Sequence, residues 1–131
     1  MDVSLPVLVV DDFRSMSAII SRLVRDLGFR DVDQGSDGTS ALEGLQKRKY
    51  GLILSDWDMR PMNGAELVRR IRRDPTHSDT RIIMVTAVGD AGGSWKAGAD
   101  GYLMKPFKLD DLKDRIAEVL SQRADVTATV G

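Results

Sequence analysis

Five residues scattered along the chain carry most of the chemistry this sequence has to offer. Asp11 and Asp12 are adjacent, while Asp56, Thr86 and Lys105 stand far apart, each at the end of a short apolar run. Three carboxylates brought together repel, so that one must protonate or a cation must enter. An all-oxygen set without histidine or cysteine suits Mg²⁺ better than zinc or copper. A lysine ammonium binds a phosphoryl oxygen as a point charge, and a threonine hydroxyl can donate to another. Such a set fits phosphoryl transfer with a carboxylate as nucleophile. Each residue alone also has a plain reading. Asp12 could cap a helix, Asp56 could be a turn residue, Thr86 an ordinary strand end, and Lys105 a solvated charge.

Composition narrows the alternatives. The chain has 131 residues, 42% hydrophobic and 30% charged, enough for one domain with one core. Nineteen Lys and Arg against 20 Asp and Glu give a net charge of −1, which argues against a general nucleic-acid or anionic-membrane binder. With no cysteine, disulfides, zinc–thiolate sites, iron–sulfur clusters and cysteine nucleophiles drop out. His77 is the single histidine, which leaves no His-rich metal site and disfavours a Ser-His-Asp hydrolase. No apolar run approaches the roughly 18 residues of a membrane span, and no signal-peptide pattern is visible. The expectation is a cytoplasmic, monomeric domain that binds neither DNA nor membrane.

The elements that must position these residues alternate. Pro6–Val10 is an unbroken apolar run, as in a strand buried on both faces, and Asp11-Asp12 ends it. Met16, Ile19, Ile20, Leu23, Val24 and Leu27 then recur at helical spacing, with Gly28 placed for a left-handed cap. Arg30–Gln34 is mostly polar and reads as a strand at the sheet edge. Asp37-Gly38 opens a helix with Ala41, Leu42 and Leu45, and Leu52–Leu54 is a strand ended by Ser55-Asp56. Asn63-Gly64 could be a hairpin turn, but Leu67, Val68 and Ile71 behind it favour a helix start. Arg81–Val85 is a fourth strand ending at Thr86, and Gly101–Met104 a fifth, stopped by Lys105-Pro106. Between them, the glycines from Gly89 to Gly98 predict a short or weak helix. A last helix carries Leu112, Ile116, Val119 and Leu120, followed by a polar tail. Five β/α repeats imply a doubly wound parallel sheet, in which ligands bind at the carboxyl ends of the strands. Asp11, Asp12, Asp56, Thr86 and Lys105 all fall at such ends.

On these residues the sequence resembles a response-regulator receiver domain of the CheY-like chemotaxis type. The matching pieces are Val9-Val10-Asp11-Asp12, Leu54-Ser55-Asp56-Trp57-Asp58-Met59, Thr86-Ala87 and Lys105-Pro106-Phe107. The stretch Asp12-Phe13, Met16, Leu27-Gly28-Phe29 and Ser55-Asp56-Trp57 is similar to the chemotaxis branch in particular. The resemblance implies a flavodoxin-like (βα)5 α/β fold with strand order 2-1-3-4-5, a receiver domain over residues 1–121 and a disordered tail over 122–131. It implies Asp56 as phosphoacceptor, Asp12 as a direct Mg²⁺ ligand, Asp11 as one acting largely through water, and the Asp58 backbone carbonyl as a further ligand. Thr86 and Lys105 would bind the phosphoryl group, with backbone N–H groups near Trp57 and Ala87. The implied partners are a chemotaxis-type histidine kinase and a downstream protein such as a flagellar motor switch component. In the implied switch Thr86 moves toward the phosphoryl group and Tyr102 swings inward. The Lys105-Pro106 bond is typically cis in relatives.

Three departures from that pattern stand out. Relatives commonly place Met-Pro where this chain reads Met59-Arg60-Pro61, and proline moved by one place can reshape the loop. Asp58 stands where chemotaxis relatives often carry Asn, which with Val88 should alter the lifetime of an aspartyl phosphate. The stretch from Thr86 to Tyr102 is about three residues shorter than in that branch, and Gly89, Gly92, Gly93 and Gly98 fall inside it. The fourth helix is then expected to be short or irregular, with Trp95 and Tyr102 as partner-surface candidates.

Other signals weigh less. Gly93 to Gly98 has Walker A spacing, but Ala99-Asp100 replaces the required Lys-Ser/Thr. Arg69, Arg70, Arg72 and Arg73 read as a solvated helix face, or else as a site for an anionic partner such as a cyclic dinucleotide. His77 reads as a loop residue, and Met59, Met62 and Met84 as packing. Competing functions are a phosphate sink, a piece of a larger regulator, and an aspartyl-phosphate phosphatase of the haloacid dehalogenase kind. The last would carry Asp-x-Asp at the first strand and a substrate cap.

Overall fold

The computed structural model describes residues 1–87 and 98–130, with side chains through Ser121. The expected helix between the fourth and fifth strands, with Val88 and Trp95, lies outside the described residues. The strands are β1 (Val7–Val10), β2 (Val32–Gly35), β3 (Leu52–Asp56), β4 (Arg81–Ala87) and β5 (Gly101–Lys105). The helices are α1 (Arg14–Asp26), α2 (Gly38–Lys47), α3 (Gly64–Arg73) and α4 (Leu109–Val130). All strand pairs are parallel and the order is β2-β1-β3-β4-β5, the flavodoxin-like arrangement.

Side-chain alternation along the strands builds two core layers. Leu8 and Val10, Ile53, Ile82 and Met84, and Tyr102 point to one face, where Ala41 and Leu45 of α2 and Leu67, Val68 and Ile71 of α3 cover them. Val7, Val9, Leu52, Leu54, Ile83, Val85 and Leu103 point to the other, against Ile20 and Val24 of α1 and Leu112, Ile116 and Val119 of α4. This explains why the central strands read as continuous apolar runs. Each fully buried Leu or Ile stabilises the fold by about 1.5–3 kcal/mol. Among the described residues β2 pairs only with β1, and its polar Asp33 and Gln34 suit an edge.

Local chemistry sets the helix boundaries. Phe13, not Asp12, is the N-cap of α1, and no side chain caps that helix, so both adjacent aspartates are released from a capping role. Gly28 follows α1 at φ +111°, the left-handed region expected of it. Asp37 and Ser40 form a reciprocal capping box at α2. The Asn63 side chain accepts from the Glu66 N–H, so Asn63-Gly64 starts α3 and makes no hairpin. α4 continues as helix to Val130. No glycine or proline interrupts the sequence there before Gly131. Among the described residues no helix is long and apolar enough to cross a membrane.

Candidate functional site

β1 and β3 are neighbours in the middle of the sheet, and this brings Asp11, Asp12 and Asp56 together at their carboxyl ends. One oxygen from each lies within 4.8 Å of the others. Asp56 closes β3, whose residues are all buried, and is itself 6% exposed. Asp11 is 1% exposed; its N–H donates to Gly35 O, and its Oδ1 accepts from the Phe13 N–H at 2.9 Å. Asp12 is exposed at the rim.

Lys105, at the end of β5, reaches across to this group. Its Nζ donates to Asp56 Oδ1 at 3.2 Å and lies 3.6 Å from Asp11 Oδ2. Burial, and next the Asp11 charge, push the Asp56 carboxyl above its ordinary value, while Lys105 pulls it back. One ammonium does not balance three carboxylates. Asp11 Oδ2 is buried and has no hydrogen-bond partner. An orphaned buried carboxylate oxygen facing two more carboxylates is the donor set a hard divalent cation requires, so the residues fit Mg²⁺.

Thr86 is fully buried at the end of β4, and its Oγ1 donates to Ala87 O at 3.2 Å. Asp58 is exposed in the loop after β3. Tyr102 lies in the α2/α3 core layer at 7% exposure, so its ring is already inside the fold. The Trp57 N–H, expected as a phosphoryl donor, donates to Val85 O at 3.0 Å and belongs to the β3–β4 ladder. Arg60-Pro61 and Lys105-Pro106 are both cis.

A model of the response regulator receiver domain family matches residues 7–117. The chain belongs to that family. Receiver domains are signalling domains. The chain is 36% identical over 119 residues to the chemotaxis protein CheY of Pseudomonas aeruginosa, covering 88% of this chain and 96% of that one. It is similar to the structure of the chemotaxis response regulator CheY4 of Vibrio cholerae, with TM-score 0.81, 31% identity, and 88% and 98% of the two chains covered. It is also similar to a receiver domain of a sensor histidine kinase from Pseudomonas aeruginosa, solved with a magnesium ion coordinated in its active-site cleft. There the TM-score is 0.77 and the identity 30%, over 85% and 93% of the chains.

The rest of the receiver surface sorts the weaker sequence signals. Arg72 turns inward and donates to Ser78 O, Thr80 O, Gly98 O and Asp100 Oδ2. Arg69 and Arg70 both approach Glu66, so what read as one basic cluster is a helix face plus an internal clamp. His77 is buried in the turn after α3, more enclosed than a loop residue need be. A cavity of about 820 Å³ is lined by Leu5, Pro6, Gly51, Arg81 and Leu120 among others, at the amino ends of the strands and away from the Asp11, Asp12 and Asp56 carboxylates. Sequence reasoning missed Gly64, where a Cβ would meet the Asp56 carbonyl oxygen at 2.5 Å. The signal was its place eight residues after Asp56, at the start of the next helix.

Proposed function

We propose that this receiver takes a phosphoryl group from a histidine kinase onto Asp56 and switches conformation to control a partner in chemotaxis or flagellar signalling. The observation that carries the reading is the buried Asp56 carboxylate set between Asp11, Asp12 and the Lys105 ammonium. An Asp56 oxygen attacks phosphorus, the P–N bond of the phosphohistidine breaks, and the departing imidazole nitrogen keeps the electron pair. Asp11, Asp12, Asp56 and the Asp58 backbone carbonyl would hold Mg²⁺, which when bound neutralises charge on the carboxylates and phosphoryl oxygens. Lys105 moves from ion-pairing with Asp56 to a phosphoryl oxygen, and the Ala87 N–H offers a backbone donor. The Thr86 hydroxyl would give up its bond to Ala87 O to reach the same group. Because Tyr102 is already inside, the switch would consist of fixing its ring there. Similarity to chemotaxis proteins over most of the chain supports the signalling context.

Trp57 adjoins Asp56 and reports on the site. Its fluorescence should change with Mg²⁺ and again with acetyl phosphate. The second change should vanish in Asp56→Asn; a response that persists there overturns the reading. Asp58, an extra carboxylate at the rim, should alter the phosphoryl lifetime. Equal dephosphorylation rates for wild type and Asp58→Asn would refute that role.

A further inference from the structure

We propose that Gly64 is a positioning residue for the phosphoacceptor, holding the Asp56 backbone in place by leaving no room for a side chain. This rests on the reading of Asp56 given above and adds to it a residue outside the ligand and phosphoryl-binding set.

Gly64 is the first residue of α3 and is buried. A Cβ there would meet the Asp56 carbonyl oxygen at 2.5 Å and the Trp57 Cα at 3.0 Å, and would overlap Met84 Cε. The methionine terminus can turn aside, because its side chain is flexible. The other two atoms are main chain at the end of β3 and cannot move without carrying the Asp56 carboxylate with them. The approach is also bonded. The Gly64 N–H donates to Trp57 O at 2.8 Å, and on the other side Ser55 Oγ donates to Asp56 O at 3.1 Å. The chain therefore leaves β3 at Asp56, makes its loop, and returns at Gly64 to press against the peptide it left. Carboxylate placement relative to Asp11 and Lys105 is then set by the start of α3 as well as by the sheet. Displacing a reacting group by about 1 Å can cost about a hundredfold in rate.

The test compares Gly64→Ala/Met84→Ala with Met84→Ala alone, so that only the main-chain obstruction separates the two. Labelling by acetyl phosphate is followed over a range of donor and Mg²⁺ concentrations and normalised to folded protein by circular dichroism. The expected result is a loss of about a hundredfold in the labelling rate at saturating donor and Mg²⁺, with the half-saturating donor concentration little changed. Equal saturating rates in the two variants overturn the proposal. Should the double variant fail to fold, hydrogen exchange in the wild type decides. A Gly64 amide protected like those of β3 supports the clamp, and one that exchanges as fast as the Asn63 amide overturns it. Wild-type protein that takes no label, or label that survives Asp56→Asn, instead overturns the phosphoacceptor reading and this inference with it.

Discussion

Lys105 Nζ stands 3.2 Å from Asp56 Oδ1, and among the described residues no other cation ion-pairs with that carboxylate. The same ammonium is 3.6 Å from Asp11 Oδ2, so one lysine at the end of β5 serves two buried carboxylates from β3 and the end of β1. The lysine side chain is 23% exposed, which lets it exchange partners without being pulled out of the core.

Lys105→Ala follows directly. Without divalent cation the variant leaves the buried Asp56 carboxylate without its charged donor, and stability should fall by about 1–3 kcal/mol. Mg²⁺ held at the proposed site would stabilise the folded chain by mass action. With the competing ammonium gone, its effect should be larger. The rise in Tm on going from EDTA to Mg²⁺ should therefore be greater in Lys105→Ala than in wild type. Equal rises would mean that Lys105 and the cation do not act on the same charge.

Asp56→Asn should raise stability in EDTA at neutral pH. Burial and Asp11 lift the Asp56 pKa above 3.8, so the folded chain holds this proton to higher pH than the unfolded chain. The stability this group contributes is present at low pH and is lost as pH rises through the raised value. At neutral pH the ionised carboxylate is a cost that asparagine removes. Thermal melts should show the variant above wild type at pH 7, with the gap closing as the pH approaches 3.8. A variant that melts below wild type at pH 7 would contradict the charge argument.

The parts of this molecule that follow from periodicity were legible in the sequence; those that depend on close packing were not. β1 and β3 declare themselves because they are buried on both faces, and Asp11, Asp12, Asp56, Thr86 and Lys105 because each interrupts an apolar run at a strand end. β2 was legible as an edge through the polar Asp33 and Gln34. Gly64 read as a helix start or a hairpin turn, since its close approach to the Asp56 carbonyl oxygen and the Trp57 Cα is a packing contact that no periodicity shows. Arg72 looked like its arginine neighbours, because its acceptors at Ser78, Thr80, Gly98 and Asp100 are mostly backbone carbonyls, which carry no sequence signal. The bond from the Trp57 N–H to Val85 O was not legible either, because it depends on the β3–β4 register.

Tyr50 should make stability fall at high pH. Its ring is 3% exposed, its hydroxyl donates to Asp33 Oδ2, and the Arg48 guanidinium lies 5.1 Å from the ring centroid. Burial, and next the hydrogen bond to Asp33, push its pKa up to about 12. The folded value is above the ordinary 10.0, so the contribution is complete below 10.0 and is lost as pH rises through about 12. Tyr50→Phe should cost about 1 kcal/mol at pH 7 through the lost hydrogen bond. Urea midpoints should then decline less steeply above pH 10 in the variant than in wild type. Parallel declines would place the alkaline loss elsewhere.

Arg72 closes the connection into β5. Its guanidinium is 2.7 Å from Asp100 Oδ2, the same oxygen that accepts from the Ile82 N–H at 2.7 Å, and it also holds Thr80 O and Gly98 O. Asp100 N donates back to Ile82 O, so this cluster sets how β5 enters the sheet beside β4, upstream of Tyr102 and Lys105. A lysine reaches one or two of these acceptors and lacks the planar fork that serves them together. Arg72→Lys should therefore destabilise by about 1.5–3 kcal/mol, the range of hydrogen bonds to charged groups. Asp100→Asn keeps an acceptor for the Ile82 N–H and should cost less. The two residues share partners, so their costs should not add, and a double-mutant cycle should show a coupling of about 0.5–3 kcal/mol. Faster hydrogen exchange at the Ile82 amide in Arg72→Lys would trace the loss to this cluster, whereas unchanged exchange there with the same drop in stability would move it elsewhere on α3.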